Sequence, residues 1–225
     1  MNKIKAMLNL QQQLNDATNG KGWEKGITKN GKRIDWKRAA YLECAELIES
    51  YPWKHWKNID AKPDYDNIRI EAVDIWHFIM SQMLQEYRIE GKGDVDTLTH
   101  AIESLPNFQT FTQDIAATQK DYYEQIEVVE SLMRTLLCDS SPERLMEAFI
   151  EVAMQSGLNL TSLYQLYLGK NILNRFRQDH GYKEGTYIKI WNGEEDNVIM
   201  QRYLETHPST SPEELYQVLD AAYPQ

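Results

Sequence analysis

Apolar side chains return every three or four residues through almost the whole of this 225-residue chain, and that period commits it to helices. The run "EAVDIWHFIM" at 71–80 is so apolar that little of its circumference is left for water. Alternating stretches, and Asn-Gly turns joining β-branched runs, are scarce. The expected fold is therefore all-α, a helical bundle core with additional helices. A chain of this length can bury such a core in one domain spanning 1–225, and no internal repeat or low-complexity tract calls for a second.

Helix signals mark the elements. A first helix over about 2–16 stops at Gly20 and Gly22. Asp35 is placed to cap a helix running over about 35–51, which Pro52 terminates. After the Trp- and Lys-rich loop "PWKHWKNIDAKPDYDN", a long helix is expected over about 68–89, ending at "EGKGD". Weaker segments follow near 94–105 and 108–138. A helix capped by Ser141, with Pro142 in its first turn, then runs to Gly157. Another covers about 161–178, "DHGYKEGTYIKIW" leaves helical period for an aromatic loop, and "TSPEEL" starts a last short helix.

Two of these helices carry paired carboxylates. Glu43 and Glu46 on one, and Glu71 and Asp74 on the other, stand three residues apart and so project from one face of each helix. If the helices pack antiparallel, four anions converge, and desolvated anions at that density require a positive partner. Oxygen donors without thiolate suit Mg2+ or Mn2+, ions that commonly also hold substrate phosphates. Two other readings stand beside this one. The carboxylates could line a solvated face, which suits Glu49 better than its neighbours. His77, three residues after Asp74, could belong to a di-iron bundle; such a site takes Glu-x-x-His from two helices, and this chain offers one Asp-x-x-His. His77 could equally be a core histidine.

A formal charge of −10 argues against a general nucleic-acid or anionic-membrane surface. No apolar run reaches 18 residues, the first residues lack a secretory pattern, and Cys44 and Cys138 are the only cysteines. A soluble, cytoplasmic protein is expected. The basic groups that a phosphate substrate needs lie in the segment at about 161–187, where Lys170, Asn174 and Arg177 form one helical stripe. That stripe could also be a solvated basic helix end.

The segments "QQQLNDATNGKGW", "ECAE", "YPWKHWK", "EAVDIWHF" and "KNILNRFRQDHGY", in that order, resemble the dimeric dUTPases of the all-α nucleoside triphosphate pyrophosphohydrolase superfamily. The resemblance covers most of the chain. It implies a homodimer that hydrolyses dUTP, and also dUDP, to dUMP with Mg2+, for which Mn2+ could substitute. Attack on the phosphorus next to the α-phosphate would account for both substrates. Carried over by motif, Glu43, Glu46, Glu71 and Asp74 are the metal ligands, and Glu46 is favoured over Glu43 as the catalytic base. Lys170, Asn174, Arg177 and Tyr182 face the phosphates. Gln12, Asn15, Trp56, His77 and Phe78 enclose the deoxyuridine, with Asn19 competing for the place of Asn15 and Trp53 for that of Trp56. A related enzyme acting on dCTP, or an acidic helical scaffold without activity, remains the alternative.

Overall fold

The computed structural model describes residues 2–58, 60–114, 121–138, 141–207 and 210–224. Among them are ten α-helices: α1 (Lys3–Asn19), α2 (Trp36–Glu49), α3 (Tyr65–Ile89), α4 (Val95–Glu103), α5 (Phe108–Phe111), α6 (Tyr122–Leu137), α7 (Pro142–Gln155), α8 (Leu160–Asp179), α9 (Asp196–Thr206) and α10 (Pro212–Ala222). Two short strands, β1 (Ile190–Trp191) and β2 (Glu194–Glu195), precede α9. The fold is all-α, as its periodicity requires. The chain divides into two compact units, the first ending at Leu163 and the second beginning at Tyr164.

In the first unit α3 is the central helix, lying along α2 and packing also on α1, α4 and α7. Its buried residues include Ile68, Ile70, Ala72, Val73, Ile75, Trp76, Ile79, Met80, Met83 and Leu84, which point in every direction from the axis. A helix apolar all round has to be covered all round. Trp76 stacks on Phe149 of α7 with ring centroids 4.9 Å apart. The α2–α6 contact is closed by the Tyr51 hydroxyl, which donates to Gln125 Oε1 at 3.1 Å.

Helix starts follow their caps. Asp35 accepts from the Arg38 amide at 3.0 Å, as expected. The central helix begins three residues before the predicted Ile68, because Asp64 accepts from the Asn67 amide at 3.0 Å and draws "YDN" into the first turn. The first helix likewise reaches Asn19 before Gly20, at φ 90°, breaks it. Ser141 and Pro142 open α7, and Ser211 with Glu214 forms a capping box on α10. Of the segment expected as helix over 108–138, α5 and α6 are present, and residues 115–120 lie outside the described residues.

The second unit holds more order than the aromatic loop expected beyond Gln178. Asn192 and Gly193, both at positive φ, make the two-residue turn that joins β1 to β2 as an antiparallel hairpin. Trp191 anchors it in a core with Leu173 and Phe176 of α8, Met200 of α9, and Leu215 and Leu219 of α10. Periodicity did not reveal α9, because its few apolar residues are interrupted by Asn197, Gln201 and Arg202.

Candidate metal and nucleotide site

Because α2 lies along α3, three of the four expected carboxylates meet. One oxygen from each of Glu43, Glu46 and Glu71 lies within 4.8 Å of the others. Asp74, one turn beyond Glu71 on the same face of α3, is half-buried. The three members differ in exposure: Glu46 is exposed, Glu43 half-buried, and Glu71 buried. Asn67 steadies the buried one, its Nδ2 donating to Glu71 Oε1 at 3.2 Å and to Ser50 Oγ at 2.8 Å. Ser50 Oγ in turn donates to the Glu46 carbonyl at 3.4 Å, which ties the end of α2 to the α3 carboxylate.

Two full charges 4.8 Å apart repel by about 3 kcal/mol at an effective dielectric near 20, so the cluster favours a bound cation. All three donors are carboxylate oxygens, which suits Mg2+ or Mn2+ rather than a thiophilic metal. Burial pushes the adjacent Cys44 thiol up to about 12, and the Glu43 charge adds to the shift. Cys44 therefore stays a neutral core residue.

Two turns along α3 from Glu71, a buried polar network joins α3 to α1. His77 Nδ1 lies 2.7 Å from Gln11 Oε1. Gln11 Nε2 donates to Asn15 Oδ1 at 3.2 Å and to Ser81 Oγ at 3.0 Å, and Asn15 Nδ2 also donates to Ser81 Oγ at 3.0 Å. Ser81 Oγ donates to the His77 carbonyl at 2.8 Å. Of the residues expected around a nucleoside, Asn15 and His77 are thus brought together. Gln12 is turned elsewhere, donating to Asp16 and Glu24 at 3.2 and 3.3 Å. Its neighbour Gln11 takes the place beside His77. Gln11 and Ser81 were not singled out from sequence, although each stands four residues from a named partner and is polar in an apolar stripe. Asn19 is buried at the end of α1.

Phe78 is half-buried and stacks on Trp36 with centroids 6.1 Å apart, and Trp36 meets the edge of Trp23 at 5.7 Å. Trp56 is 63% exposed and touches Trp53 edge-on at 5.5 Å.

In the second unit the four residues expected at the phosphates gather around Arg177. Its Nε and Nη2 donate to the two oxygens of Asp196, each at 2.8 Å, and its Nη1 donates to Asn174 Oδ1 at 3.3 Å. The Tyr182 ring lies 5.8 Å from the guanidinium. Lys170 Nζ donates to Asn197 Oδ1 at 2.7 Å. Lys170 and Arg177 are both buried, so the stripe is not a solvated helix end. Asp196, wholly buried, also accepts from the Tyr187 hydroxyl and the Asn197 amide at 2.8 Å. Burial opposes its charge, but the Arg177 fork and these donors outweigh it and hold the carboxyl below its usual range. Asp196, Asn197 and Tyr187 escaped the sequence reading. The only signal for them was the acidic "EEDN" after an Asn-Gly turn.

Against known families, residues 3–182 match the one described as dUTPase, a span that covers most of the chain and contains the carboxylate cluster, the α1–α3 network and the basic stripe. No curated protein matches the chain. The chain belongs to the dUTPase family.

Proposed function

We propose that this dUTPase-family enzyme, a dUTP diphosphatase, converts dUTP to dUMP and pyrophosphate, and dUDP to dUMP and phosphate, at the acidic face shared by α2 and α3. The observation that carries the reading is the meeting of Glu43, Glu46 and Glu71 within 4.8 Å. These three carboxylates, with that of Asp74, would hold Mg2+, or Mn2+ in its place. When bound, the cation supplies charge neutralisation along the phosphates and lowers the pKa of water.

The residues divide the remaining work by their exposure. Glu71, buried and hydrogen-bonded to Asn67, keeps a fixed carboxylate orientation. Glu46, exposed, can take a proton from attacking water and release it to solvent, which favours it over Glu43 as the base. His77 and Phe78 follow Glu71 by six and seven residues on the same helix, about 9–10 Å along its axis, a spacing that suits a base and its phosphates. Asn15 and His77 then read the base, Phe78 and Trp56 cover it, and Gln12 stays at the margin. Lys170, Asn174, Arg177 and Tyr182 engage phosphate oxygens. The working species in this reading is a cytoplasmic homodimer that needs neither nucleic acid nor membrane. Among the described residues no helix is long and apolar enough to cross a membrane.

The test is pyrophosphate release from each common deoxynucleoside triphosphate, and phosphate release from dUDP, with Mg2+ and with chelator. The expected result is turnover of dUTP and dUDP that the chelator abolishes. Equal turnover of dCTP, or turnover indifferent to chelator, would overturn the reading. Light scattering on the eluting protein tests the dimer.

A further inference from the structure

We infer that Ser81 is a specificity-setting residue that touches no substrate: its hydroxyl fixes the orientation of two buried amides and, through them, the tautomer of His77. A main-chain carbonyl can only accept, so the 2.8 Å contact between Ser81 Oγ and the His77 carbonyl commits the serine proton there. The two remaining contacts of Ser81 Oγ, each at 3.0 Å, must therefore be donated to it. Gln11 and Asn15 have to present their NH2 groups to the serine, which leaves Gln11 Oε1 facing His77 Nδ1 at 2.7 Å. An amide oxygen accepts, so Nδ1 carries the proton, and in the neutral ring the lone pair is then at Nε2.

Without the hydroxyl the choice is nearly degenerate. Asn15 could donate to Gln11, and Gln11 to His77 Nδ1, with as many hydrogen bonds among the three as in the observed arrangement. With Ser81 present, that reversed arrangement points two amide oxygens at one hydroxyl whose proton is already committed. Ser81 is wholly buried, so water cannot repair the mismatch.

The consequence rests on the proposed placement of Asn15 and His77 at the base. Uracil and cytosine differ by a donor at N3 and by the exchange of a carbonyl for an amino group. Discrimination between them requires side chains whose donors and acceptors cannot swap. Ser81 prevents the swap in both residues at once, and it does so from behind them.

The test combines a spectrum with kinetics. Nitrogen NMR of isotope-labelled histidine, with the His77 signals assigned by their loss in His77→Gln, should show the Nδ1–H tautomer in the full chain. Free histidine prefers Nε2–H, so finding that form at His77 would overturn the inference with no variant needed. In Ser81→Ala the signal should shift towards a mixture of tautomers. The ratio of kcat/KM for dUTP over dCTP should fall about tenfold, the scale of one mismatched buried polar group. Ser81→Thr, which keeps the hydroxyl, should retain the tautomer and most of the ratio. A Ser81→Ala enzyme with unchanged tautomer and unchanged ratio would refute the role of the hydroxyl. A shifted tautomer with an unchanged ratio would refute the link to base choice, whereas a wild-type chain without metal-dependent dUTP turnover would refute the functional reading and leave the tautomer result standing.

Discussion

Replacing Asp196 by Asn tests whether the second unit is organised around its buried ion pair. The carboxylate accepts four hydrogen bonds, from Arg177 Nε and Nη2, the Tyr187 hydroxyl and the Asn197 amide, each at 2.8 Å. An amide of the same shape keeps one acceptor oxygen and turns an NH2 group towards two of those donors. It also leaves the Arg177 guanidinium buried without its opposite charge. Breaking one side of such a pair costs about 3–5 kcal/mol. That is a large share of the roughly 5–15 kcal/mol by which a protein of this size is stable. For a single cooperative transition it corresponds to a fall in Tm of about 6–20 °C. Trp191 is the only tryptophan beyond residue 76 and is wholly buried in this unit. Urea unfolding followed by the emission that Trp191 contributes, taken as the difference from a Trp191→Phe chain, therefore reports on the unit, with the loss in the midpoint expected alongside a red shift from Trp191. Replacing the pair together, Asp196→Leu with Arg177→Met, should recover part of the loss, because no charge is then stranded, although the Tyr187 hydroxyl and the Asn197 amide lose their acceptor. A loss below about 1 kcal/mol in Asp196→Asn, with Trp191 still shielded, would refute the claim that this carboxylate holds Arg177 and the hairpin in place.

The same carboxyl gives the wild type an acid dependence. Its folded pKa lies below the ordinary value, so its stabilisation is complete above about pH 5 and declines as the pH falls through the ordinary carboxylate range. It is gone once the depressed folded value is passed. Urea midpoints measured from pH 6 down to pH 3 should fall less steeply in Asp196→Asn, and parallel curves would contradict the assignment. Glu46→Gln should lower dUTP turnover by about a hundredfold or more while the melting temperature changes little, because the side chain is exposed. Retained turnover in that variant would remove Glu46 as the base. Asn67→Ala should weaken Mn2+ binding, read by calorimetry, about 10–100-fold by freeing the Glu71 carboxylate. Unchanged affinity would show that Asn67 does not aim Glu71.

The sequence by itself determined the helices other than α9 and the paired carboxylates that two of them carry. A three-to-four-residue apolar period has no other regular solution, caps such as Asp35, Ser141 and Ser211 act within a single turn, and carboxylates three apart share a face whatever packs around them. Those features are local, so one strand of text contains them. What only the tertiary structure decided is which polar side chain meets which. Gln11 rather than Gln12 faces His77, because the rotation of α1 against α3 is set by how Met7, Leu8 and Trp76 pack and not by any pattern within "QQQ". Asn67 and Glu71 share a helix face, but that Asn67 also reaches Ser50 Oγ, and so ties Glu71 to the end of α2, depends on α2 lying along α3. Arg177 and Asp196 are nineteen residues apart, and their pairing depends on the hairpin at Asn192 and Gly193 folding α9 back onto α8. Buried polar pairs are chosen by the geometry of desolvation, where each donor must find the acceptor that packing leaves within reach, and that choice is made only when the helices close on one another.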